Sequence, residues 1–194
     1  MTRYIQEEAT STLNIVSHGF AQTQRLGMHL GNLLRGGELL LLEGQLGMGK
    51  TTFTQGLARG MGITETISSP TFTLLKEYAG QPLSISSIVQ ENSETVTKSN
   101  KTIGPALYHF DLYRLDDSEE VFDLGFEDYF NDSTGVCVIE WADKARELWP
   151  AEKLCIRMKI LSETKRGLLF IATGKRYQEL LRQFQKSAYA ITSS

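Results

Sequence analysis

Apolar positions along the chain change their spacing several times, and each change marks an element. After a polar, loose stretch at residues 1–11, Thr12 to Val16 reads as a short strand. Ser17 can cap a helix from about Phe20 to Leu34, because Leu26, Leu30, Leu33 and Leu34 recur at helical spacing on one face. Gly36-Gly37 ends it. Glu38 to Glu43 holds four consecutive leucines and reads as a buried strand. The next helix carries Phe53, Leu57 and Met61 and stops near Gly60 and Gly62. Pro70 keeps Ser69 out of helix, and the Thr/Phe/Leu alternation from Thr71 to Tyr78 then reads as a strand.

Residues 80–104 break the pattern. They are rich in Ser, Thr, Asn and Gln, contain no aromatic and keep no period. They are expected to form a long mobile insertion between two strands of one domain spanning 1–194, not a domain boundary. Ala106 to Asp111 is a strand ending in a carboxylate. Asp116, Asp117 or Ser118 can start a short helix through Phe122, and Gly125 to Phe130 is a second short amphipathic piece. Gly135 to Trp141 is β-branched and uninterrupted, a strand buried on both faces. Residues 142–149 suggest a helix stopped by Pro150, and 153–160 and 167–172 two strands around a turn at Ser162 to Gly167. A closing helix, 175–187, puts Tyr177, Leu180, Leu181 and Phe184 on one face. Alternating strands and helices followed by a terminal strand pair predict a three-layer α/β domain. Its central sheet should be mixed and mainly parallel.

Composition changes this picture little. The chain has 194 residues, 22% of them charged, with a net charge of −3, so nothing global argues for nucleic acid or an anionic membrane. The N-terminal residues have no apolar signal core, and no run approaches the length of a membrane span. Cys137 and Cys155 both sit in strand-like apolar runs and read as buried free thiols, with no support for a disulfide scaffold or metal cluster. The expected compartment is the cytoplasm.

The chemistry concentrates where the leucine run ends. Gly44-Gln45-Leu46-Gly47-Met48-Gly49-Lys50-Thr51-Thr52 meets the phosphate-binding pattern G-x-x-x-x-G-K-[ST] through Gly44, Gly49, Lys50 and Thr51. Glycines let the backbone turn and crowd its N–H groups around an anion, and the following helix aims its positive end at the same point. Lys50 can reach the β- and γ-phosphates, and the Thr51 hydroxyl can bind Mg²⁺. Such a loop needs a carboxylate for the metal and a group to orient water. Asp111 and Glu140, each ending an apolar strand, are the two candidates. Glu140 is assigned to Mg²⁺ with Thr51, and Asp111 to water or switch positioning, in roles that are exchangeable.

Around them several readings stay open. Ser68 to Thr71 is either a plain loop or a switch whose hydroxyls meet Mg²⁺ or the γ-phosphate. Arg114 is an arginine finger or a surface residue paired with Asp116 or Asp117, and Trp141 is core or stacks on a ligand. His18, His29 and His109 lack metal-ligand spacing, and His109 reads as a packed histidine. Guanine recognition is disfavoured. Asn100-Lys101-Thr102-Ile103 lacks the acid of N-K-x-D, and Asp132-Ser133-Thr134-Gly135 fits D-x-x-G but precedes a strand. ATP is expected, with adenine against Ser17 to Thr23.

The phosphate loop, then Ser69-Pro-Thr-Phe-Thr-Leu, Tyr108-His-Phe-Asp-Leu-Tyr-Arg-Leu and Ile139-Glu-Trp, together resemble the TsaE (YjeE) ATPases over about residues 14–175. The resemblance implies a Mg²⁺-dependent ATP hydrolase required for threonylcarbamoyladenosine modification of tRNA position 37. It would act on the TsaB–TsaD complex and meet tRNA only through it. The resemblance carries function onto Lys50, Thr51, Asp111, Glu140 and Trp141. It also marks residues 80–104 as an insertion, since family members commonly cross there with a short hairpin. The competing reading is a P-loop small-molecule kinase. A kinase usually closes an Arg-bearing lid, and residues 80–104 contain Lys98 and Lys101 but no Arg. A third reading, a non-catalytic binding module, is opposed by intact Thr51, Asp111 and Glu140.

Overall fold

Four parallel strands make the middle of the sheet in the computed structural model, which describes residues 10–91, 94–115, 120 and 125–192. They are β2 (Leu39–Glu43), β6 (Ala106–Asp111), β7 (Gly135–Glu140) and β8 (Lys153–Ile160). Three further strands, β1 (Thr10–Ser17), β3 (Leu75–Tyr78) and β9 (Arg166–Thr173), pair antiparallel, giving the order β1-β9-β8-β2-β7-β6-β3. The sheet is thus mixed and mainly parallel at its core, as the alternation of elements predicted. The central strands are the apolar runs. All five residues of β2 and all six of β7 are buried, as strands covered on both faces must be. Each leucine so buried contributes about 1.5–3 kcal/mol.

On one face Leu40, Leu42, Val136, Val138, Ile156 and Phe170 pack beneath α1 (Phe20–Gly31), α2 (Lys50–Gly60) and the C-terminal helix. On the other, Leu39, Leu41, Phe110, Cys137 and Ile139 are covered by α3 (Phe126–Asn131), a 3-10 helix (Ala142–Leu148) and Trp149. The C-terminal helix, α4, spans Lys175–Thr192. Helices α1 and α2 meet through glycine. A Cβ on Gly27 or Gly31 would strike the carbonyl of Phe53 or Leu57, and one on Gly56 or Gly60 the carbonyl of Gln24 or Met28. Only glycine admits this approach, and it fixes α2 tightly against the helix layer.

Several elements differ from the sequence reading. Helix α1 stops at Gly31, and Leu33 and Leu34 follow in tighter turns bonded to Leu30 and Gly31. Ser17 does not cap it. Gly19 holds the cap position, while the Ser17 hydroxyl bonds Thr23 Oγ1 at 2.7 Å. Thr71 to Leu74 is a turn rather than strand, because the amides of Thr73 and Leu74 both donate to the Pro70 carbonyl. Residues 80–104, read as a long mobile tip with no consistent period, hold an antiparallel ribbon of β4 (Pro82–Glu91) and β5 (Glu94–Ile103) separate from the main sheet. The helix expected from Asp116 through Phe122 falls largely outside the described residues. No described helix is long and apolar enough to cross a membrane.

Candidate functional site

The glycine loop lies where β2 hands the chain to α2. Gly44, Gly47 and Gly49 have φ of 138°, 77° and 97°, a region L side chains rarely enter. At Gly44 a Cβ would also meet the Met158 carbonyl. Gly49 occupies the cap position of α2 with no side-chain cap, so the first amides of the helix are left to an outside acceptor. Glu43, just before the loop, takes no part. Its carboxylate is held by Arg157 at 2.6 Å and Arg146 at 3.3 Å.

Lys50 is only 5% exposed. Its ammonium donates to the carbonyls of Gly44 (2.5 Å) and Gln45 (3.0 Å) and lies 3.6 Å from the centre of the Trp141 ring. Burial pushes its pKa below the ordinary lysine value, while Glu140, Asp111 and Asp143 pull it back up. The group is therefore a desolvated cation facing carboxylates, ready for a stronger anionic partner. Trp141 reaches it because its own backbone is left-handed, with φ 62°. A left-handed non-glycine residue is costly and concentrates at functional sites. Its ring also packs on Tyr113, centroids 4.9 Å apart.

The two acids come together as the strand ends predicted. Asp111 and Glu140 are register partners across β6 and β7, and each is 2% exposed. Their surroundings differ. Glu140 Oε2 accepts the Thr51 hydroxyl at 3.1 Å, and Oε1 lies 2.8 Å from His109 Nε2. Asp111 Oδ2 instead accepts the hydroxyls of Ser69 (2.5 Å) and Thr71 (2.6 Å), and Oδ1 the Tyr113 amide (2.9 Å). The Ser69 and Thr71 hydroxyls thus meet Asp111, not the phosphate loop.

Arg114 lies over the ring of Phe72, 3.9 Å from its centre. His109, read as a packed histidine, is fully buried, and sequence reasoning missed its bond to Glu140. The signal was present in part: His109 and Asp111 alternate onto one face of their strand. What the sequence withheld is that β7 is the neighbour. Asp143, close enough to act on Lys50 electrostatically, was also missed.

Beside the loop, a cavity of about 310 Å³ is lined by Phe20, Thr23, Met48, Thr52, Glu163 and Arg166, among others. Arg166 also reaches the Gly47 carbonyl at 3.4 Å. The cavity borders the stretch expected to face adenine. No group of three or more His, Cys, Asp or Glu able to hold a metal occurs among the described residues. The donors at hand, a threonine hydroxyl and one carboxylate, are hard oxygens. Mg²⁺ takes one or two protein oxygens and completes its shell with water and phosphate, and this set fits that habit.

The comparisons with known proteins agree with one another. The family profile described as "Threonylcarbamoyl adenosine biosynthesis protein TsaE" matches residues 17–168. The tRNA threonylcarbamoyladenosine biosynthesis protein TsaE of Bacillus subtilis is 41% identical over 150 residues, covering 77% of this chain and 79% of its own. That of Treponema pallidum is 36% identical over 156 residues, covering 80% and 98%. A crystal structure of Bacillus subtilis YdiB matches with a TM-score of 0.70 at 30% identity, over 93% of this chain and 99% of that one. On these likenesses the chain belongs to the TsaE family of tRNA threonylcarbamoyladenosine biosynthesis proteins.

Proposed function

We propose that the chain is a Mg²⁺-dependent ATPase that supports threonylcarbamoyladenosine formation at tRNA position 37 by acting on a TsaB–TsaD complex. The observation that carries this reading is the bond between Thr51 and Glu140. It joins the hydroxyl at the head of α2 to a buried strand-end acid, beside a buried lysine. A glycine turn of purely structural use has no need of that trio.

In this reading the open amides of the glycine loop receive the β-phosphate, and Lys50 exchanges its bonds to Gly44 and Gln45 for phosphate oxygens. Trp141 covers the lysine and keeps water from it. Thr51 and Glu140 would hold Mg²⁺, which neutralises charge building on the phosphates. Asp111 positions water or reports the terminal phosphate to residues 68–74 through Ser69 and Thr71. The adenosine lies in the cavity beside Thr23 and Thr52.

The test is ADP release by the purified protein, alone and with TsaB–TsaD. Slow release alone and faster release with the pair is expected. Lys50→Ala should abolish nucleotide binding, whereas Glu140→Ala should spare binding more than turnover. Full tRNA modification by Lys50→Ala in a reconstituted system would refute the assignment.

A further inference from the structure

His109 is a buried polar side chain at the site that this mechanism leaves unused. It is 0% exposed on β6, and Nε2 lies 2.8 Å from Glu140 Oε1. Its other nitrogen, Nδ1, is buried with no hydrogen-bond partner. A carboxylate only accepts, so Nε2 carries a ring proton and donates to Oε1. The ring is therefore held by one polar bond alone. A purely space-filling position in this sheet face, between Leu107 and Val138, would be served better by an apolar residue. Leaving a buried nitrogen unpaired is costly. The imidazole is accounted for by what it does to Glu140.

We propose that His109 is a positioning residue for the metal-binding carboxylate: it fixes Oε1 of Glu140 so that Oε2 stays turned toward Thr51. This rests on the ATP-site reading above. Glu140 has a buried carboxylate with two side-chain donors, one on each oxygen. Ligating a cation would use a lone pair of the Thr51 hydroxyl and leave its proton free for Oε2. His109, on the other oxygen, is the second donor that keeps the carboxylate plane in place. Outer partners of this kind orient the ligand and typically change metal affinity by about 10–100-fold when removed.

The test measures ATP affinity with Mg²⁺ and in excess chelator, for the parent, His109→Leu and His109→Gln. A glutamine amide puts a donor near the place of Nε2, whereas leucine does not. Affinity in chelator should be the same for all three. The gain on adding Mg²⁺ should fall about tenfold or more in His109→Leu and return in His109→Gln. A full Mg²⁺ gain in His109→Leu overturns the positioning role and leaves the site reading standing. No Mg²⁺ gain in the parent overturns both. If His109→Leu does not fold, the ¹⁵N shifts of the parent's ring decide. A proton on Nε2 is the expected result, and an Nε2 without one overturns the proposal.

Discussion

Removing the hydroxyls of Ser69 and Thr71 tests whether Asp111 is the anchor of residues 68–74. Both hydroxyls donate to the same oxygen of a carboxylate that is 2% exposed. They also touch each other at 2.6 Å, and Ser69 Oγ accepts the Thr71 amide. With one hydroxyl gone, the other still satisfies Oδ2, so Ser69→Ala and Thr71→Val should each cost about 1–1.5 kcal/mol. With both gone, a buried charged oxygen is left bare, and the pair should cost about 4 kcal/mol, more than the two singles together. Urea unfolding measures this, provided the slope is unchanged between variants. In an Asp111→Ala background the Ser69→Ala cost should shrink to that of its remaining bonds to Thr71. Additive losses, or an undiminished Ser69→Ala cost in that background, would show that the hydroxyls serve the turn and not the acid. Lys50, Thr51, Glu140 and His109 are untouched by these changes. If the chain is the ATPase proposed above, the double variant should keep ATP affinity and lose turnover, which ADP release would show.

Three further outcomes follow from the packing. Gly56→Ala drives a Cβ into the Gln24 carbonyl and should cost about 1–3 kcal/mol by overpacking, read as a lowered Tm; an unchanged Tm would refute the close approach of α1 and α2. Burial pushes the Cys155 thiol up to about 12 and the Cys137 thiol well above its ordinary value, so a thiol-reactive disulfide should label neither in the native protein and both in urea. Prompt native labelling of either would contradict the structure. The bond from Tyr108 to Asp132 holds the phenol protonated up to about 12 and keeps the Asp132 carboxyl below its ordinary value. The phenol's share of stability is whole below its unfolded value of 10.0 and is lost as pH rises toward 12. The carboxylate's share is whole above 3.8 and is lost as pH falls through its lowered native value. The stability gap between the parent and Tyr108→Phe should thus be flat near neutrality and narrow toward both extremes. A gap that widens toward either extreme would refute the sign.

What the sequence made legible was local. Four leucines, three glycines and Lys50-Thr51 announce the loop without reference to any other segment, because the turn and the helix start are decided within about ten residues. The parallel core was legible for the same reason: runs as apolar as Leu39 to Leu42 and Val136 to Ile139 tolerate water on neither face. The misread pieces are those decided from a distance. Thr71 to Tyr78 alternates well enough for a strand, yet its first residues turn so that Ser69 and Thr71 reach Asp111 some forty positions on. The ribbon at residues 82–103 pairs mostly polar positions, such as Ser86 with Ser99 and Ser87 with Lys98. No apolar face announced it.

The site divides along the same line. Lys50, Thr51, Asp111 and Glu140 could be named one by one, but their bonds depend on β6, β7 and β2 lying side by side in one register. Leu42 pairs with Glu140, and Glu140 with Asp111, so all three point to the α1–α2 face. A slip of one residue in β7 would turn Glu140 to the far face and present Ile139 or Trp141 to Thr51 instead. Leu40, Val136, Val138 and Leu107 hold that register, since the same slip would carry the whole buried set off the α1–α2 face. The aliphatic residues of the central strands therefore act on the chemistry without touching it: they set which acid stands beside Thr51.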